Sequence, residues 1–282
     1  MENISPLNVP ALLRQFNLRP DKRLGQNFLM DDHALRKITD IAEIAPDEVV
    51  LEIGPGLGSL TRHLARKAHQ VVAVELDERL IPALRHVLDP YPNVRIVQGD
   101  ILRQDIQQLV QSPAYLVVAN IPYYITSLLI RRLLEAPLLP KRLVLTVQME
   151  VAERICAEPG KLSLLALSVQ VYGQPRVRAR LPAEAFHPTP KVASAVVRVD
   201  LHTAPRIPPG QLEAFFHLAK AGFSQKRKTI KNALAAGMRW TPAEGEAILK
   251  AAGIDPQRRA ESLSLDEWAQ LVDAVEKGAP ES

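Results

Sequence analysis

From about residue 32 to residue 200, short runs of Val, Ile and Leu alternate with amphipathic stretches. Val49–Ile53, Val71–Leu76, Val94–Gln98, Tyr115–Ala119 and Leu143–Val147 are almost continuously apolar, as strands buried on both faces are. Between them Leu60–Lys67, Glu78–Leu88 and Ser127–Glu135 carry apolar residues at three- and four-residue spacing, which predicts helices. Such alternation predicts an α/β fold with a doubly wound, mostly parallel sheet. The rhythm then changes: Leu162–Tyr172 and Val192–Leu201 read as two long strands, an antiparallel pair at the sheet's edge. Beyond the proline-rich stretch Thr203–Gly210, strand signals give way to helices near 211–222, 226–236, 242–252 and 265–277. The expected organisation is an N-terminal arm over 1–24 with Pro6, Pro10, Pro20 and one short helix, an α/β domain over 25–202, and a small all-helical C-terminal domain over 203–282.

Composition narrows the classes of function. A chain of 282 residues with 47% hydrophobic content can bury a large core. It opens without a charged start and apolar core, and no apolar run is long enough for a bilayer, so a cytoplasmic protein is expected. Cys156 is the single cysteine, and the seven histidines form no HxxxH or HxH pair, so no metal is expected. A net charge of +4 permits a nucleic-acid partner. The cations are grouped: Arg176, Arg178 and Arg180 alternate in an extended segment and share a face, and Lys226, Arg227, Lys228 and Lys231 cluster on a predicted helix. Each group fits phosphate contacts, or simply a solvated face.

The candidate chemistry sits at successive strand ends. Glu52-Ile-Gly54-Pro-Gly56-Leu-Gly58 follows the first strand and opens a helix, a turn through which backbone amides can approach a nucleotide-like ligand. Glu75 ends the next strand, where a carboxylate can accept both ribose hydroxyls. Asp100 follows the third, placed to accept from an adenine amino group or to cap a helix. Asn120-Ile121-Pro122-Tyr123 closes the fourth. There the Asn oxygen and the Ile121 or Pro122 carbonyl can both accept from one exocyclic amine, while Tyr123 offers a stacking face for a base. The same residues would also suit an ordinary strand-to-turn junction. A NAD-type dehydrogenase shares the glycine turn and Glu75 but gives Asn120–Tyr123 no role, and its glycines run GxGxxG rather than GxGxG.

In combination with Leu24-Gly-Gln-Asn-Phe-Leu29 and Phe186-His-Pro-Thr-Pro-Lys-Val192, these motifs make the chain resemble the small-subunit rRNA adenine N6,N6-dimethyltransferases, of which the macrolide-resistance rRNA methyltransferases are close relatives. The stretches Phe223–Asn232 and Arg259–Leu263 resemble the C-terminal domain of the ribosome-maturation branch. Tyr124 departs from the pattern, standing where Asn is common. The resemblance implies a Rossmann-like methyltransferase sheet, S-adenosylmethionine as methyl donor and ribosomal RNA within a small-subunit precursor as partner. It further implies dimethylation of two adjacent adenines near the 3′ end of the small-subunit RNA by a monomeric enzyme. By it, Asn27, Leu29, Gly54, Glu75, Asp100 and Asn120 contact the cofactor, Asn120, Pro122 and Tyr123 form the catalytic motif, and Phe186 sandwiches the target base opposite Tyr123. Two other readings stay open: a resistance-type enzyme acting on large-subunit RNA, and a non-catalytic ribosome-assembly protein of the same fold.

Overall fold

The computed structural model describes residues 4–122 and 125–278. Its strands in chain order are β1 (Phe28–Leu29), β2 (Val49–Ile53), β3 (Gln70–Glu75), β4 (Val94–Gln98), β5 (Tyr115–Asn120), β6 (Arg142–Gln148), β7 (Gly173–Leu181), β8 (Phe186–His187) and β9 (Ser194–Leu201). Among the described residues, seven form one sheet in the order β4-β3-β2-β5-β6-β9-β7. Strands β2 to β6 pair in parallel and β9 runs antiparallel to β6. The apolar runs form these strands because the sheet is covered on both faces: every residue of β2, and all of β5 but Asn120, is buried. The chain builds outward from β2 through β3 to β4, then returns to lay β5 on the other side of β2. That reversal creates a switch point between β2 and β5, and open α/β sheets bind ligands outside the carboxyl ends of strands at such a point.

Two expectations are corrected here. Leu162–Tyr172 is not a strand: it contains the helix Leu164–Gln170, whose first turn is capped by Ser163 accepting from the Ala166 amide at 3.2 Å. Leu and Ala favour a helix, and consecutive burial of Leu165, Ala166 and Leu167 leaves only a faint helical period. The strand lies just beyond, over Gly173–Leu181. Likewise Lys226, Arg227 and Lys228 are not helical. They lie on the turn before the helix Ile230–Met238, which Thr229 caps.

The chain divides into two compact units, residues 1–152 with 175–201, and residues 153–174 with 202–282. The expected boundary at 202 therefore differs for residues 153–174, whose backbone bonds explain their place: the Glu261 carbonyl accepts from the Gly160 and Leu162 amides at 2.8 and 3.1 Å, and the Val171 carbonyl from the Arg206 amide at 2.8 Å. In this helical unit Leu212–Phe223 and Ile230–Met238 approach closely, since a methyl at Gly237 would sit 2.5 Å from that of Ala221. The first unit takes in the N-terminal arm. Its helix Val9–Gln15 buries Val9, Leu12 and Leu13 against Phe28, Leu57 and Leu80. Among the described residues, no helix is long and apolar enough to cross a membrane.

Candidate active site

The glycine turn leaves β2 with Gly54, Gly56 and Gly58 at φ of 70°, 60° and 85°. At Gly56 two demands coincide. Its backbone is left-handed, and a Cβ there would lie 2.9 Å from the Phe28 ring, so a side chain would be both strained and in collision. The Gly56 amide donates to Glu75 Oε2 at 2.9 Å, and the Asp77 amide to Oε1 at 2.8 Å. Glu75 thus braces the turn while its remaining lone pairs stay available in the cleft. Burial raises the Glu75 pKa, and the Asp77 and Gly56 amides oppose the rise by stabilising the anion.

A cleft of about 1000 Å³ opens over these strand ends. Gly54, Glu75, Asp100, Asn120 and Pro122 line it, joined from the N-terminal side by Asn27 and Leu29. Asp100 serves its local turn with one oxygen, accepting from the Leu102 amide at 3.0 Å, while Arg103 lies 3.6 Å from the other. Asn27 turns its side chain to the Gly25 carbonyl at 3.1 Å and presents its own carbonyl to Asn120, whose Nδ2 donates to it at 3.1 Å. That bond fixes the amide's orientation and leaves Asn120 Oδ1 as the acceptor not engaged by the described residues. The Pro122 carbonyl is occupied by the Ile125 amide at 3.2 Å and the Thr126 hydroxyl at 3.4 Å, so of the Ile121 and Pro122 carbonyls it is that of Ile121 which the described residues leave unengaged. Tyr123 lies outside the described residues, as does Tyr124.

With this arrangement in view, the profile of the family described as Ribosomal RNA adenine dimethylase matches residues 17–277. The chain belongs to the ribosomal RNA adenine dimethylase family. Over 283 aligned residues it is 44% identical to a Ribosomal RNA small subunit methyltransferase A of Dehalococcoides mccartyi, covering 96% of this chain and 97% of that one. Among solved structures it resembles a dimethyladenosine transferase from Plasmodium falciparum, with TM-score 0.76 and 25% identity over 89% of this chain and 98% of that one. It also resembles the 23S rRNA methyltransferase ErmE, with TM-score 0.72 and 30% identity over 89% of this chain and 100% of that one.

Not every residue expected in this adenine dimethylase site reaches it. Phe186 is corrected: it is 1% exposed, pairs in β8 against Leu29 of β1, and packs with Leu35, Ile38 and Val196 in the core rather than lining the cleft. Phe186 stands directly opposite Leu29 in that pairing, so the two side chains share a face and both enter the same core cluster. Arg176, Arg178 and Arg180 are exposed on the edge strand β7 while Ala179 and Leu181 are buried, so the three do share a face. Lys231 is tied to Glu246 at 3.0 Å, whereas Lys226, Arg227 and Lys228 are exposed.

Residues not singled out from the sequence also build the walls. Gln26 donates to Asp77 Oδ2 at 2.7 Å and accepts from the Asp21 amide at 2.8 Å, tying the N-terminal segment to the loop after β3. From the helix Thr126–Leu134, Arg132 donates to the Gln104 carbonyl at 3.0 Å and so holds the loop that carries Asp100. Neither bond has a local signal, because the partners lie far apart in the chain.

Glu52, buried beside the turn, has its carboxyl pushed up to about 8, chiefly by burial, with nearby Glu75 adding and the Thr61 hydroxyl opposing. In the unfolded chain this group ionises near 4.5. Between those values the folded state holds the extra proton, so stability contributed here falls as pH rises through the window and is level above it. Glu52→Gln removes the titration. Its unfolding free energy relative to wild type should therefore rise by a few kcal/mol from pH 5 to pH 8 in urea titrations; a difference constant with pH would show Glu52 to be ionised in the folded protein.

Proposed function

We propose that this chain transfers methyl groups from S-adenosylmethionine to N6 of adenines in ribosomal RNA, dimethylating two adjacent adenines near the 3′ end of the small-subunit RNA during ribosome maturation. The observation that carries the reading is the Asn120 amide, anchored through Nδ2 on the Asn27 carbonyl, with Oδ1 not engaged by the described residues and Ile121 next to it on the cleft wall. Two acceptors at one strand end match the two hydrogens of an exocyclic amine. The small-subunit assignment is supported by relatives of that name aligned over nearly the full length of both chains.

The cleft residues fit the cofactor. Glu52 Oε2 and Ser59 Oγ are buried on its walls without hydrogen-bond partners, as groups awaiting a polar ligand would be. Glu75 would accept the ribose hydroxyls and Asp100 the adenine amino group, with Gly54, Asn27 and Leu29 forming the surrounding wall. When bound, S-adenosylmethionine supplies an electrophilic methyl group on a cationic sulfur. The adenine amine is a poor nucleophile because its lone pair is delocalised into the ring. Asn120 Oδ1 and the Ile121 carbonyl, accepting its two hydrogens, draw the nitrogen toward tetrahedral geometry and stabilise positive charge where it develops. Tyr123 would provide the stacking face that holds the extruded base. On this reading the protein acts as a cytoplasmic monomer on RNA within a small-subunit precursor, with Arg176, Arg178 and Arg180 supplying phosphate contacts.

Incubation with labelled S-adenosylmethionine and precursor subunits, followed by separation of small- and large-subunit RNAs and mapping of the modified base, tests the reading. Dimethyladenosine in the small-subunit RNA supports it; label confined to large-subunit RNA, or absent, refutes it. The wall built by Arg132 gives a second expectation. Arg132→Met keeps the stem but loses the bond to Gln104, and should weaken cofactor binding about three- to tenfold, the loss of one moderate hydrogen bond. Calorimetry reads this directly, and an unchanged affinity would show that the Asp100 loop stands without the brace.

A further inference from the structure

The cofactor site proposed above runs along consecutive strand ends: Asp100 beyond β4, Glu75 at β3, Gly54 beyond β2 and Asn120 at β5. Its reactive end lies at Asn120, so the target base must arrive from the side that the cofactor leaves open. In the sheet order the next strand is β6, and the last residue of β6 is Gln148.

Register fixes where Gln148 stands. Asn120 is opposite Thr146 across the parallel pair, and side chains two residues apart on a strand share a face, so Asn120, Thr146 and Gln148 form one strip. With strands about 4.8 Å apart and a two-residue repeat of about 6.6 Å, the Cα atoms of Asn120 and Gln148 lie roughly 8 Å from each other. The Ile121 amide donates to the Thr146 carbonyl at 3.2 Å and the Met149 amide to the Ala193 carbonyl at 3.1 Å, which pins the backbone on both sides of Gln148. The strip is polar where the rest of its face is apolar, for Val118, Val144 and Val196 carry that face into the core. Thr146 Oγ1 is buried without a hydrogen-bond partner, and Gln148 is half-buried with an amide that no described residue engages. Polar capacity left unused beside a reactive strand end fits a substrate that completes it.

The chemistry at Asn120 leaves a matching need. Acceptors on Asn120 and Ile121 recognise an exocyclic amine, which cytosine carries as well as adenine, and they take no hold of the ring. Adenine presents ring acceptors, N1 and N7, on the two sides of N6, and the NH₂ of a glutamine is a donor that matches either.

We propose that Gln148 is a specificity residue for the methyl-accepting base, donating from Nε2 to the adenine ring nitrogen that flanks N6 on the β6 side. This contact presupposes the adenine-methyltransferase reading and lies outside the Asn120–Tyr123 motif.

Single-turnover methylation of precursor subunits whose target adenines are replaced by 1-deazaadenine or by 7-deazaadenine tests it, with cofactor affinity read by calorimetry. Gln148→Met keeps the length of the side chain and loses the donor. It should lower transfer at subsaturating subunits about three- to tenfold, the loss of one moderate hydrogen bond, with affinity for S-adenosylhomocysteine unchanged. The replaced base alters N6 reactivity equally in both proteins, so the comparison lies in the coupling: on one of the two deaza substrates the advantage of wild type over the variant should vanish. Gln148→Glu sets an acceptor against the ring nitrogen and should be slower than Gln148→Met. A wild-type advantage that persists on both deaza substrates would make Gln148 a structural residue and overturn the proposal, as would a wild-type rate in Gln148→Met or a fall in its cofactor affinity. Those results leave the methyltransferase reading standing, whereas wild-type protein that methylates no small-subunit RNA would defeat that reading and the Gln148 contact together.

Discussion

Asn120→Ala should slow methyl transfer by on the order of 10²–10³ while leaving the protein folded, by analogy with the loss of one preorganised group aimed at developing charge. The side chain's value lies in its fixed orientation. Nδ2 is held 3.1 Å from the Asn27 carbonyl, so Oδ1 faces its task without reorganising. Alanine removes the acceptor and also strips the Asn27 carbonyl of its donor, so some cofactor affinity should go with the rate. Asn120→Asp separates the two contributions. It keeps an acceptor oxygen but sets an oxygen against the Asn27 carbonyl where a donor stood, so it too should be slow if anchoring matters. Single-turnover transfer from labelled S-adenosylmethionine, with circular dichroism to verify folding, measures both variants. A wild-type rate in Asn120→Ala would mean that the amine is activated by other groups.

The parts of this site that are legible in the sequence share one physical origin. A strand buried on both faces must be a continuous apolar run, and the first polar or glycine residue after it marks the end of the sheet. Gly54, Glu75 and Asn120 are such residues at the buried strands β2, β3 and β5, Asp100 follows the half-buried edge strand β4, and the parallel pairing brings these strand ends to one cleft. Periodicity weakens where most of an element is buried. Leu162–Tyr172 has few polar positions, with Leu165, Ala166, Leu167 and Val169 buried and Ser168 and Gln170 half-buried, so its helical period is faint. The alternation that does mark a strand belongs to Arg176, Arg178 and Arg180, where it signals the edge strand as well as a charged face.

Long-range bonds have no sequence signal of any kind. Gln26 reaches Asp77, and Arg132 reaches Gln104, through the fold alone. Phe186 shows the converse limit. Its motif suggests a base-stacking ring, yet pairing of β1 with β8 commits it to the core, the role that an aromatic residue in this setting has on packing grounds. The cation cluster is similarly half legible: charge density locates the turn, but only the structure shows that Lys231 is already paired with Glu246.

Glu75→Ala should raise the dissociation constant for S-adenosylmethionine by about 10- to 100-fold, from the loss of a charged acceptor worth roughly 1.5–3 kcal/mol. The structure gives the residue two duties. Its oxygens hold the Gly56 and Asp77 amides at 2.9 and 2.8 Å, so alanine also leaves two buried donors unpaired and loosens the glycine turn. Glu75→Gln retains the volume and one acceptor, and should fall between alanine and wild type. A double-mutant cycle tells ribose recognition from bracing: binding of S-adenosylhomocysteine and of its ribose-deoxygenated analogue is measured by calorimetry in wild type and in Glu75→Ala. If Glu75 accepts the ribose hydroxyls, the analogue should lose affinity in wild type and lose little further in the variant. If Glu75 only braces the turn, the two losses should add. Unchanged cofactor affinity in a folded Glu75→Ala protein would remove it from the site in both capacities, because a turn that holds without its brace and a ribose that binds without its acceptor leave the carboxylate no role in binding.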